Sequence, residues 1–98
     1  MKIPEKVHIS GIPFDVRTLE TMGAALDNKL AACISYQDQQ IVLEQRGEHM
    51  MEVSFLHEVI HGMMFALGRS EHDEVLVDGL AHQLHLFIKD NPDIFVKE

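Results

Sequence analysis

The sequence predicts an α+β fold: a small antiparallel sheet of two hairpins packed against a buried helix and a C-terminal amphipathic helix. Three patterns predict it. In the first half, short stretches alternate apolar and polar residues with a period of two, as half-buried strands do. From residue 53 to residue 67 the chain is almost continuously apolar, and from 76 to 88 apolar residues recur at helical spacing. Ninety-eight residues suffice for one modest core, so residues 1–98 are expected to form a single domain.

Residues 6–10 and 12–17 alternate on either side of Gly11, which predicts a hairpin with Pro13 at a strand start or edge. His8 faces outward on this pattern and is assigned no chemistry. In residues 18–29, Leu19, Met22 and Leu26 have helical spacing, but Gly23 and the Asp27-Asn28 pair shorten any helix to a turn or two. Residues 31–36 and 40–44 then form a second hairpin around Gln37-Asp38-Gln39. Strand 40–44 is expected at a sheet edge, where an extended peptide substrate can add to its free backbone groups.

A polar loop at residues 46–49 leads into a helix from about Glu48 to Leu67, ended by Gly68 as the residue after its C-cap. His49 and Glu52 are expected on its solvated first turn. Ser70 is the expected N-cap of the last helix, with acidic residues following it where the helix dipole favours them. Leu76, Val77, Leu80, Ala81, Leu84, Phe87 and Ile88 mark the core face of that helix, and Asn91-Pro92 stops it. Residues 93–98 form a tail, with a short strand expected.

A net charge of −8 argues against nucleic acid or an anionic membrane as the main partner. The single Cys33 excludes an internal disulfide framework and fits a reducing compartment. Its place in an Ala-Ala-Cys-Ile run points to packing. The first residues lack the apolar core of a signal peptide and no apolar run reaches 18 residues, so a cytoplasmic protein is expected.

The chemistry concentrates in the apolar stretch. His57-Glu58-Val59-Ile60-His61 is an H-E-x-x-H pattern, which on a helix projects two imidazoles from one face a single turn apart. In a chain with seven histidines such a match arises by chance roughly 4 times in 100, so context has to decide. Between Val53 and Leu67 only Ser54, His57, Glu58 and His61 carry polar side chains. Burying an ionised carboxylate beside two imidazoles costs several kcal/mol unless a cation compensates. The pattern therefore points to Zn²⁺ held by His57 and His61, with Glu58 as the base that takes a proton from water.

A hydrolytic zinc site needs a third protein ligand, and the last helix folds back along the first to supply it. Glu74 and Asp78 lie one turn apart and repel, with no Lys or Arg between Arg69 and Lys89 to offset them. Glu74 is the favoured ligand and Asp78 the group that orients a histidine by accepting its second ring N–H. His72, Asp78 and His82 remain alternatives for the ligand, and an ordinary solvated helix face competes with all of them.

Residues 55–61, followed by Glu74-Val75-Leu76-Val77-Asp78-Gly79-Leu80-Ala81 and by Phe87-Ile88-Lys89-Asp90-Asn91-Pro92, resemble small phage-encoded ImmA/IrrE-like metallopeptidases. The resemblance covers about the last half of the chain. It implies a minimal zincin-like zinc peptidase domain, with His57 and His61 as ligands, Glu58 as catalytic base and a glutamate of the following helix as third ligand. The Glu-x-x-x-Asp step is also similar to the ligand-plus-orienter step of thermolysin-type enzymes, where it lies farther from the second histidine. A phage or prophage origin would place the protein in a bacterial host cell. Extra domains found in larger family members are missing here, so their regulatory substrates do not carry over.

The function expected is zinc-dependent peptide-bond hydrolysis, with Tyr36 and Arg46 as candidate second donors to the oxyanion. Two rivals stand beside it: a zinc-bearing binding or adaptor module without activity, and a zinc hydrolase acting on a small molecule or nucleic acid. Intact Glu58 weighs against the first and the acidic charge against the second.

Overall fold

The structure is a computed structural model that describes residues 1–20 and 32–95. Its strands are β1 (Lys6–Ile9), β2 (Ile12–Leu19), β3 (Ala32–Ser35) and β4 (Gln40–Glu44), and its helices are α1 (Glu48–Ala66) and α2 (Glu74–Asp90). The class is α+β. The turn or short helix expected within 18–29 lies outside the described residues from 21 onward, while Thr18 and Leu19 continue β2.

Both hairpins form as the alternation requires, β1 with β2 and β3 with β4, each antiparallel. The sheet they build is not antiparallel throughout. Its order is β1-β2-β4-β3, and β2 runs parallel to β4 in a register from Asp15↔Gln40 to Leu19↔Glu44. Consequently β4 is an interior strand, and the expected peptide-binding edge at residues 40–44 is wrong. The physical reason is visible in its side chains. Ile41 and Leu43 are both fully buried and Val42 half-buried, an uninterrupted apolar run that suits a strand flanked on both sides. Among the described residues, the edges are β1 and β3. Pro13 pairs with His8 near the start of β2, before the bonds to β4 begin, so the missing N–H interrupts nothing there. His8 is exposed, as expected.

The helices stack on this sheet as successive layers. α1 packs against β1, β3 and β4 on one side and against α2 on the other. Ile9, Phe14, Ile41 and Leu43 meet Val53, Phe55, Leu56, Val59 and Ile60, and Val77 and Ala81 close the core from α2. The middle position explains why α1 is apolar around most of its circumference. Its last turn runs past this cover, leaving Met63, Phe65 and Leu67 exposed. Gly68 ends it at φ +88°: Gly68 N–H donates to the Phe65 carbonyl and Arg69 N–H to the Met64 carbonyl, a Schellman termination.

Several local expectations are corrected. The N-cap of α2 is Asp73 rather than Ser70; its carboxylate accepts from Val75 N–H at 3.0 Å and Leu76 N–H at 3.2 Å. Residues Pro92–Phe95 form a 3-10 turn where a strand was expected. On α2 the inward stripe is Val77, Ala81 and His85 flanked by Leu84 and Ile88, while Leu76, Leu80 and Phe87 are exposed. Glu52, expected in solvent, is only 6% exposed, and His85 Nε2 donates to its Oε1 at 2.8 Å.

Two predictions follow from this packing. At Gly62, where α1 presses on the sheet, an added Cβ would lie 2.8 Å from Ile9 Cδ1 and 3.3 Å from Ile34 Cδ1. Ile9 is itself buried, so overpacking of about 1–3 kcal/mol should outweigh the helix-propensity gain of about 1 kcal/mol. Gly62→Ala is therefore expected to lower the urea midpoint of unfolding. The second concerns Glu52. Burial alone would raise its carboxyl, but the bonds from His85 and from the Met1 ammonium outweigh burial and hold it below the ordinary 4.5. Because the folded-state value is the lower one, the stabilisation is complete above about pH 4.5 and is lost as pH falls through the depressed value. Urea unfolding between about pH 6 and pH 3 should show this acid-linked loss in the wild type and a smaller one in Glu52→Gln.

Candidate metal centre

The two histidines of the motif lie on successive turns of α1, and the seven-residue connection through the Gly68 termination brings Glu74, the first residue of α2, over them. His57 Nε2 and His61 Nε2 are 3.2 Å apart. Glu74 Oε2 lies 3.2 Å from the first, and Oε1 lies 3.0 Å from the second. Ligands at about 2.0–2.1 Å from a tetrahedral ion are separated by about 3.3 Å, so the three groups already have the spacing of zinc ligands. Among the described residues, this is the group of three His, Cys, Asp or Glu side chains whose donor atoms gather closely enough to hold a metal.

The second ring nitrogens determine what the first can do. His72 Nε2 lies 2.8 Å from the Arg69 carbonyl oxygen, which only accepts, so the His72 proton is on Nε2 and its Nδ1 carries a lone pair. His61 Nδ1, 2.6 Å away, must then be the donor of the His61–His72 bond. In neutral His61 this leaves a lone pair on Nε2, 3.0 Å from a carboxylate oxygen of Glu74. Two acceptors at that distance repel. Burial, the largest influence, lowers the pKa of His61; Glu74 pulls it up, and His57 and His72 push it down, with the net shift downward. The neutral form is thus favoured, and a divalent cation would resolve the conflict where a proton is disfavoured. His57 is held differently: its Nε2 lies 3.2 Å from Glu74 Oε2, which accepts a hydrogen bond from it, while its Nδ1 stands 3.4 Å from Asp78 Oδ1.

Glu58 is 7% exposed. Burial lifts its carboxyl to about 7, opposed by His57 and aided by Glu74, which is near the value suited to a base at neutral pH. Tyr36, in the turn after β3, donates its hydroxyl to the His61 carbonyl at 3.2 Å and stacks on Phe65 with ring centroids 3.9 Å apart. Burial, then Glu58 and Glu74, raise its pKa, so the hydroxyl keeps its proton. Burial and Glu58 likewise raise Cys33 and make it a poor nucleophile, consistent with packing.

The sequence-predicted residues are thus sorted by position. His57, Glu58, His61, Glu74, Asp78 and Tyr36 gather at one end of the helix pair. Arg46 does not: it pairs with Glu44 at 3.4 Å and precedes α1, whose first residue is itself about 14 Å along the helix axis from His57, at the end away from the oxyanion role expected of it. Of the alternative ligands, His72 is engaged with His61, Asp78 with His57, and the exposed His82 reaches only Asp78, at 3.8 Å. Sequence patterns did not find the His72 bond, because a loop histidine carries no periodic signal.

No family model, curated protein or solved structure matches the chain.

The bond from His72 is a testable support. Replacing His72 with Phe removes the acceptor for His61 Nδ1–H and is expected to weaken Zn²⁺ binding by about 10–100-fold in competition with a chromophoric chelator. The far-ultraviolet circular dichroism should not change, since His72 lies outside both helices.

Proposed function

We propose that this protein is a zinc-dependent peptidase with His57, His61 and Glu74 as metal ligands and Glu58 as the base. The observation that carries this reading is the convergence of two imidazole Nε2 atoms and a carboxylate within 3.0–3.2 Å of one another, beside the buried carboxyl of Glu58. A cation held there supplies Lewis acidity, making water more acidic and polarising a scissile carbonyl.

The remaining steps belong to the chain. The Glu58 carboxylate accepts a proton from the attacking water and hands it to the leaving amine. His72 holds His61 in the tautomer that leaves its Nε2 free, and Asp78, 3.4 Å from His57 Nδ1, is the acceptor we assign to that ring once its Nε2 binds the ion. Tyr36, kept protonated beside the centre, is the donor we assign to the developing oxyanion, a role its one O–H takes by leaving the His61 carbonyl. An extended substrate finds its backbone partners along β3, which among the described residues is paired only with β4 and leads directly to Tyr36.

The resemblance to small phage-encoded metallopeptidases agrees with this assignment, and we place the activity in the cytoplasm of a bacterial host. Cys33 is a free thiol, and among the described residues no helix is long and apolar enough to cross a membrane.

Glu58→Gln is expected to keep one Zn²⁺ per chain and to lose about 10²–10⁴-fold in cleavage of unfolded protein substrates. Equal cleavage by the variant would remove Glu58 from the mechanism. A zinc-loaded wild type inert toward folded and unfolded substrates alike would leave a metal-bearing binding module.

A further inference from the structure

α2 lies on the outside of the molecule. Among the described residues it packs only on α1 and on the turn that follows it, with Val77, Ala81 and His85 turned inward. Its outer side is nonetheless apolar: Val75, Leu76, Leu80, Leu86 and Phe87 are between 46% and 84% exposed. At helical spacing these five, with Gly79 and Gln83, share a sector of about 140°, and the sector holds no charged side chain before Asp90. Monomers rarely leave so continuous an apolar surface open to water. Glu74 and Asp78 fall outside the sector, so the metal centre is not part of this face.

The spacing along the face is self-complementary. Antiparallel pairing about a two-fold axis level with Ala81 sets Val75 against Phe87 of a second copy, Leu76 against Leu86, and Gly79 against Gln83. Leu80 then lies within a turn of its own counterpart beside the axis. Large apolar side chains oppose one another at both ends, and the one polar side chain before Asp90 comes over a glycine with open space above it. An isologous interface requires such a match, because every pair in it occurs twice. Charge agrees with this register. Lys89, the one Lys or Arg of α2, comes level with Asp73 of the second copy, next to the acidic first turn. Five side chains leaving about 100 Å² each to water give about 1,000 Å² over two copies, the lower bound for a specific interface.

We propose that the outer face of α2 is a homodimer interface, in which two copies of this chain pair antiparallel through Val75, Leu76, Leu80, Leu86 and Phe87. None of these residues is a metal ligand, so the pairing stands or falls apart from the peptidase assignment.

Sedimentation equilibrium of the full chain tests it. Expected is a monomer–dimer equilibrium with a Kd in the micromolar range. Leu76→Glu and Leu86→Lys should each weaken the dimer at least about tenfold by setting a charge against an apolar side chain. Both positions are exposed in the single chain, so far-ultraviolet circular dichroism should not change. An equimolar mixture of the two variants should regain the dimer, because residue 76 of one chain meets residue 86 of the other: one contact becomes Glu with Lys and the other stays Leu with Leu. A monomer at all concentrations would overturn the second copy as the occupant and leave the face to a different protein. A dimer that tolerates both substitutions would overturn this face. A dimer that both substitutions weaken and the mixture does not restore would overturn the pairing of residues.

Discussion

The arrangement of this site turns on a close approach between two acceptors. His61 Nε2 faces a carboxylate oxygen of Glu74 at 3.0 Å, and the hydrogen bonds behind His61 prevent it from meeting that oxygen with a proton while it stays neutral. The restriction begins in the backbone. Gly68 at φ +88° turns the chain, the Arg69 carbonyl accepts from His72, His72 accepts from His61, and each step dictates the next tautomer. Asp78 stands 3.4 Å from His57 Nδ1 on the other side. A motif whose spacing alone arises by chance roughly 4 times in 100 thereby gains a constraint that spacing does not contain.

The architecture serves this contact. With α1 between sheet and α2, its first four turns are clamped and the rotamers of the motif side chains have little freedom. Glu58 sits deep enough for burial to raise its carboxyl to about 7, while Glu74 and Asp78, on the first turns of α2, remain largely in water. The result is a buried carboxyl beside an open face.

Much of this was legible in the residues. The helical spacing of His57 and His61 and the repulsive Glu74–Asp78 step placed four site residues, because helix geometry is local and regular. Strand order was not legible in the same way. Alternation fixes which faces strands bury but not which strands are neighbours, so the parallel β2–β4 pair was missed. The unbroken Ile41-Val42-Leu43 run was nevertheless a sign that β4 is interior. Glu52 was misplaced because it follows a polar loop. Its partner could have been found, since His85 lies on the Val77-Ala81 stripe at four-residue spacing and a histidine on a core stripe needs a buried partner. Arg46 was assigned by residue type alone, with no geometry behind it, and the structure sets it at the wrong end of α1.

The convergence is tested most directly by X-ray absorption at the zinc edge on protein purified without added metal and then reconstituted with one equivalent of Zn²⁺. Expected is a shell of nitrogen and oxygen donors at about 2.0–2.1 Å containing two imidazoles, abolished in His57→Ala. A sulfur shell at about 2.3 Å, an ion bound without imidazole, or no retained ion would contradict it.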